Sequence, residues 1–286
     1  MTTTLTTPTR FGPGRLLTAI GNETLKGLRH GWSERLQILI EMPLFVTFLL
    51  LLGFTTGKAD TIVATGKLDW SLDPHRTTWL FLGIGVGFIY TYLHVQKMFW
   101  RLLAEIQTGT LEQTYLSPLP SWVHVVAGRV LAAVAETAVV VGVVYFVTRL
   151  ATPLELHWNP AALVPALFLI LGSAGLALIV AGVTLVWKRV QLLNDLVLLL
   201  VMFFAGTALP TDQLPGWSHP ISNALFMTHS IAGLRTVMLD GNHLTWNGAG
   251  GLAWMPATAA DWFVVGLAVF RLCERTALRR GSLAGT

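Results

Sequence analysis

Six apolar runs dominate the chain, near residues 37–56, 78–98, 122–148, 161–187, 190–209 and 252–272. A bilayer core of about 30 Å is crossed by roughly 20 apolar residues in helical form, so each run has the length of a span. A helix keeps its backbone hydrogen bonds within its own segment, which lipid demands. The expectation is therefore an all-α membrane protein with six transmembrane helices. Composition agrees: only 12% of the 286 residues are charged, against about 25% in soluble domains. Mean hydropathy is +0.62. The third and fourth runs are long enough to tilt or to extend beyond the core. The 11 Trp suit a protein with two membrane–water interfaces. A lone Cys273 excludes an intrachain disulfide and any paired-cysteine zinc pattern. The opening stretch MTTTLTTPTRFGPGR has no apolar core of the signal-peptide type.

Six spans place both termini on one side, and the basic residues say which. Arg10, Arg15, Lys26, Arg29 and Arg35 precede the first run, and Lys97 and Arg101 follow the second. Lys188 and Arg189 separate the fourth and fifth, and Arg271, Arg275, Arg279 and Arg280 end the last. The opposite loops hold Lys58, Lys67, Arg76, Arg149 and Arg235. By the positive-inside rule both termini and the 97–121 loop are expected in the cytoplasm of a cell whose inner (plasma) membrane holds the chain. The high isoelectric point then reports topology and not a nucleic-acid partner.

Ahead of the first run, residues 15–35 form an amphipathic pattern. Leu16, Leu17, Ile20, Leu25, Leu28 and Trp32 share one half of a helical wheel, and Arg15, Asn22, Glu23, Lys26, Arg29 and His30 the other. That suits a helix lying in the cytoplasmic interface, or one packed on the protein. The chain thus divides into a flexible tail (1–14), an interfacial helix (15–35), a six-span bundle (36–272) and a cytoplasmic tail (273–286).

The loop KMFWRLLAEIQTGTLEQTYLSPLPSW is the most structured of the polar stretches. Phe99, Leu102, Leu103 and Ile106 have helical spacing, with Arg101 and Glu105 on the polar side. Gly109 breaks this helix, Thr110 and Gln113 have the spacing of a capping box for a second short one, and Pro118 and Pro120 end it before Trp122. A rigid elbow results, serving either as a connector or as a docking knob for a soluble partner. After the fifth run, Gly206, Pro210, Pro215, Gly216 and Pro220 interrupt the apolar stretch 206–240, which reads as a broken helix followed by a second near 221–239.

Ionisable residues within spans are costly and point to function or to internal pairing. Glu136 is near the middle of the third run. Arg129 lies seven residues earlier on nearly the same face, roughly 10 Å away along the axis. Asp195 sits beside Asn194 at the start of the fifth run, Asp261 follows Pro256 in the sixth, and His94 is near the inner end of the second. These groups are expected either to line a polar pathway or gate, or to hold helices together. Gly83 and Gly87 form a GxxxG face that favours close packing.

The stretch EIQTGTLEQTYLSPLPSW resembles the E-x-x-x-G-T-L-E-Q-L-x-x-[ST]-P-L motif of ABC-2 type permeases, the membrane subunits of ATP-driven exporters. FFAGTALPTDQLPGW, followed by HSIAGLRTVML, is similar to that family's SG-x-x-x-P-x-x-x-L-P-x-W segment and next helix. Ala205 replaces the family's usual Ser, so no role for that hydroxyl carries over. The drug-exporter branch that includes the daunorubicin-resistance type is the most similar. The resemblance implies a separate ATP-binding subunit, usually two copies with two permeases. ATP and Mg would be bound by that partner, with no cofactor in this chain. Residues 101–116 would form the coupling helix, its contact made by Arg101, Glu105, Thr110, Leu111 and Glu112, with Gly109 as the bend. The 206–240 segment would be a re-entrant pair capping the outer end, with Pro210, Leu214 and Pro215 at the gate and Glu136, Asn194, Asp195 and Asp261 as pathway candidates. No phosphate loop G-x-x-x-x-G-K-[ST] occurs in the sequence.

An amphipathic cargo (a drug, a lipid or a lipid-linked glycan) fits the resemblance. A polysaccharide-exporter permease would be expected to show aromatic rings along a wide channel, whereas the Trp here are mostly interfacial. An intramembrane enzyme could use Glu136, Asp195, Asp261 and His94, but no HExxH, GxSxG or paired-Asp motif supports it. A proton-driven secondary transporter would be expected to repeat its broken helices in both halves.

Overall fold

The computed structural model describes residues 13–33, 43–44, 46–47, 51, 73–116, 127–152, 154–187, 190–248 and 250–280. All regular secondary structure among them is helical. Most of the expected first span, and Pro118, Pro120 and Trp122, lie outside the described residues.

Helix α1 (Pro13–Ser33) is the amphipathic segment. Its small residues meet the bundle: the Thr24 hydroxyl lies 3.4 Å from the Gly128 carbonyl oxygen, and Gly27 abuts Ala132. Leu17, Leu25 and Leu28 point away and are exposed. An apolar face turned outward is what a helix lying on a membrane surface requires.

Helix α2 (Pro74–Thr108) is a single 35-residue helix. Asp73 starts it by accepting a hydrogen bond from the His75 backbone N–H at 3.2 Å, with Pro74 at the first position. The sequence suggests a span over 78–98 followed by a separate amphipathic helix. The two are continuous because no Gly or Pro lies between Lys97 and Thr108. Within α2, Phe81–Phe88 is π-helical. Such wide turns are usually single, so an eight-residue stretch marks this part of the span as unusual. Gly83 abuts the Thr207 carbonyl and Gly87 abuts Ile231, giving the close packing expected of the GxxxG pair.

Gly109, with φ of 72°, ends α2 as a left-handed cap, a conformation nearly free for glycine alone. Helix α3 (Thr110–Tyr115) follows at once. Then come α4 (Arg129–Ala151), α5 (Leu163–Val186), α6 (Gln191–Phe204), α7 (His219–Ala224), α8 (Phe226–Met238) and α9 (Trp254–Arg280). A 3-10 turn at Pro160–Ala162, capped by Asn159, leads into α5. Among the described residues, four helices are long and apolar enough to cross a membrane: α2, α4, α5 with its leading turn, and α9. Helix α6 has 14 residues and is shorter than a full crossing. Helix α9 runs unbroken to Arg280, so residues 273–280 continue the span's helix.

The tightest seam joins α5 and α9. A Cβ at Gly175 would overlap the Trp262 carbonyl, one at Gly266 would overlap the Gly175 carbonyl, and one at Gly182 would sit 2.8 Å from the Phe270 Cα. Small residues of this kind let backbones approach where lipid removes the hydrophobic drive for association. Helix α2 crosses the other side of α5, where the Thr91 and Ser173 hydroxyls meet at 3.0 Å. Val139 and Phe146 of α4, Leu192 and Phe203 of α6, and Val264 and Leu272 of α9 are exposed, as suits lipid-facing surfaces.

Gly175→Leu should lower the thermal midpoint in detergent sharply, by the equivalent of about 1–3 kcal/mol or more for an overpacked core. Gly142→Ala, whose new Cβ meets nothing within 4 Å, should leave it unchanged. Equal effects would mean that the seam does not limit stability.

Candidate functional site

The elbow end of the bundle concentrates charge. Glu136 of α4 accepts a 2.5 Å bond from Arg101 and lies 3.0 Å from the Lys97 ammonium, both on α2. One turn further along α2, Glu105 pairs with Arg129 at the start of α4. Arg101 also donates to the Gly27 carbonyl of α1 at 3.2 Å. Two ionic rungs thus join α2 to α4, and a hydrogen bond from the same Arg101 adds α1. Glu136 and Arg129 lie two turns apart on α4, matching Arg101 and Glu105, which are one turn apart on α2, within the reach of long side chains. Beside these rungs, α1, α2 and α4 enclose a cleft of about 570 Å³ that Glu23, Lys26, Arg29, Thr108 and Thr110 also line.

The polar side of α2 that carries Arg101 and Glu105 is turned toward α4. Arg129 and Glu136, on nearly the same face of α4, each take a different partner on α2. Arg101 and Arg129 are 9% and 6% exposed, and Glu136 is 7% exposed, so the cluster sits in the protein interior.

Past Gly109, the elbow is held from beneath. Leu111 is fully buried among Leu102, Ile106, Leu178, Ala181, Leu185, Phe270 and Ala277. Tyr115 donates to the Glu274 carboxylate of α9 at 2.8 Å. Burial and this neighbouring carboxylate push the Tyr115 phenol well above its ordinary range, so it remains a donor. The backbone places Glu112 in α3. Thr110 and Gln113 are exposed, and Gly109 is half-buried. Of the proposed contact residues, Arg101 and Leu111 are therefore committed inside the chain, where they set the elbow's shape.

At the opposite end, Arg235 of α8 organises the broken segment. Its guanidinium donates to the Gly206 and Thr207 carbonyls at 2.9 Å each and to the Trp79 carbonyl at 3.3 and 3.2 Å. Its carbon lies 3.3 Å from the centre of the Trp79 ring. Gly206, with φ of 70°, makes the turn that exposes these carbonyls. Pro210 and Leu214 are half-buried and Pro215 is exposed. Pro210 and Pro215 accept backbone bonds from Gln213 and Ser218. Sequence reading treats Arg235 only as a loop cation; the available signal is one permanent charge on a helix with no other Lys, Arg, Asp or Glu.

Three of the remaining candidates lie about the contact between α2 and α6. Asp195 is half-buried and accepts from the Gln96 amide of α2 at 2.7 Å. Asn194 is buried, with neither side-chain polar atom bonded among the described residues. His94 is fully buried and stacks on Tyr90 at 5.8 Å. Asp261 of α9 is exposed.

Long apolar helices, an elbow at one end and a broken helix pair at the other are the features of a multi-pass membrane protein. The family model for ABC-2 type transporters matches residues 32–239, and the chain belongs to that family. It is accordingly a membrane permease subunit of an ABC exporter, a family that generally works with an ABC ATP-binding subunit and is not itself catalytic. No curated protein matches the chain.

Glu136→Gln removes the carboxylate that Arg101 and Lys97 share in a buried site, and breaking such a pair costs about 3–5 kcal/mol. Recovery of folded protein and its thermal midpoint should fall together. Exchange of the outer rung, Glu105→Arg with Arg129→Glu, should recover much of what either single change loses. A stable Glu136→Gln protein would show that the rung is dispensable.

Proposed function

We propose that the chain is the permease half of an ATP-driven exporter that moves an amphipathic substrate of drug, lipid or lipid-linked glycan type out of the cytoplasm or inner leaflet. Two permeases pair with two copies of an ATP-binding subunit, which holds ATP and Mg. Both termini and the elbow face the cytoplasm, and the broken segment around Gly206 caps the outer end. A role in multidrug resistance follows if the cargo is drug-like.

One observation carries this reading: the elbow is braced from inside and polar outside. Leu111 and the Tyr115–Glu274 bond tie α3 to α5 and α9, while the ionic rungs tie its parent helix to α4 and the Arg101–Gly27 bond ties it to α1. A knob with this construction moves the helices when it is pushed, whereas a loose loop would absorb the motion. Thr110 and Gln113 belong to the face offered to the ATPase, and the family motif adds Glu112 as a contact.

Gly109→Pro tests it. Proline holds φ near −65° and has no N–H. Gly109 needs φ of 72° and donates to the Ile106 carbonyl at 3.3 Å. In proteoliposomes with the cognate ATPase, Gly109→Pro should abolish coupled export. Gly109→Asn, which tolerates the left-handed region, should retain much of it. Normal export by the Pro variant would leave the elbow as a connector.

A further inference from the structure

Helices α4 and α5 both pack against α2 but scarcely against each other. Between them lies a cavity of about 730 Å³, within the range that holds small ligands. Its walls are apolar: Phe81 and Val86 of α2, Ala138 and Gly142 of α4, and Ala166 and Ile170 of α5. Leu234 and Met238 of α8 close its back. Val139 and Phe146 on one flank and Leu163 and Leu167 on the other are exposed, so the bilayer borders the opening.

The end of this slot away from the elbow has a different chemistry. Tyr145 and Trp158 meet edge to face at 5.7 Å across its mouth, and Asn159 lines it there. Such amphipathic rings belong at headgroup level. One turn beyond Tyr145 on the same face of α4 stands Arg149, which is exposed. Its guanidinium reaches the Leu154 carbonyl at 3.5 Å, over the start of the connector that carries Leu156 and Trp158 across the slot. Arg149 makes no ion pair among the described residues, and no acidic residue lines the slot.

We propose that this slot binds one acyl chain of a glycerophospholipid from the leaflet farther from the elbow, with the lipid phosphate against Arg149. Lipid tails are as apolar as the walls, so burial of the chain alone gives no preference over the surrounding bilayer. Selectivity comes from the cation and the aromatic mouth. The bound chain would lie against the π-helical part of α2 and the back of α8, where it supports the elements that Arg235 links. The inference concerns lipid binding and stands apart from the transport reading.

The test uses the full chain in vesicles of phosphatidylethanolamine and phosphatidylglycerol, doped with a phosphatidylglycerol bearing a mid-chain diazirine. After irradiation, labelled residues are mapped by mass spectrometry. Label should concentrate on Ala138, Gly142, Ala166 and Ile170 over Val139 and Phe146. Gly142→Trp, at a position open to the slot, and independently Ala166→Trp should each reduce slot label to the level of those outer faces, with thermal midpoints confirming the fold. Arg149→Gln should lower labelling about fivefold, the effect of one basic residue near a membrane surface. The same change should not alter labelling by an uncharged diacylglycerol with the same chain. Equal label on slot and outer faces in the unaltered protein would overturn the proposal. So would slot label that survives a folded Trp variant, or disulfide-linked dimers from Gly142→Cys showing that a second copy fills the groove.

Discussion

A charge or backbone polar group without a partner costs several kcal/mol inside a membrane, and this constraint explains where the chain places its interruptions. The break after α6 frees the Gly206 and Thr207 carbonyls, and the Trp79 carbonyl of α2 lies within reach as a third acceptor. Arg235 answers all three with one guanidinium. A lysine would offer three donors from one point, without a planar fork or a flat face to stack on Trp79. At the elbow end, charges are gathered in complementary pairs, so that Arg101, Lys97 and Glu136 can be buried together.

Much of the architecture is legible in hydropathy because lipid permits so few solutions. The spans at 161–187 and 252–272 correspond closely to α5 and α9. Gly109 marks its own bend, since a glycine between two polar helical turns has the signature of a left-handed cap. Partnerships were less legible. Periodicity puts Arg101 and Glu105 on one face but cannot say that α4 carries the opposite charges in matching order. The same periodicity puts Arg129 and Glu136 on nearly one face of α4, and only the structure shows the two cross-helix rungs they form with α2. The π-helical turns of α2 leave no hydropathy signal, although Gly83, Gly85 and Gly87 mark a backbone under few side-chain constraints. The seam formed by Gly175, Gly182 and Gly266 is readable only once the two helices are known to face each other.

The elbow shows why burial and function must be separated residue by residue. Its motif, from Glu105 through Gly109 to Glu112, is contiguous in sequence, yet its residues have different duties. Glu105 and Leu111 face inward, to Arg129 and to the α5–α9 seam. Gly109 supplies the angle, and the exposed positions supply a surface. A change at an inward residue alters the position of the whole knob, and a change at an outward residue alters only what the knob presents. The two kinds of variant therefore differ in stability even where both lose transport.

Helix α2 connects the two polar ends. Its elbow half carries Lys97, Arg101 and Glu105, and its far half offers Trp79 to Arg235 and Gly83 to Thr207. A 35-residue helix extends roughly 50 Å, well beyond a bilayer core of about 30 Å, so one continuous element reaches from the ionic rungs to the broken segment. Because each end is fixed by directional bonds to other helices, α2 cannot shift at the elbow while keeping all its far-end contacts unless α4, α8 and the Gly206 turn move with it. The glycine seam binds α5 and α9 closely, and among the described residues α4 and α5 meet chiefly through α2. The apolar slot below Trp158 opens where these two helices part, with α2 between them.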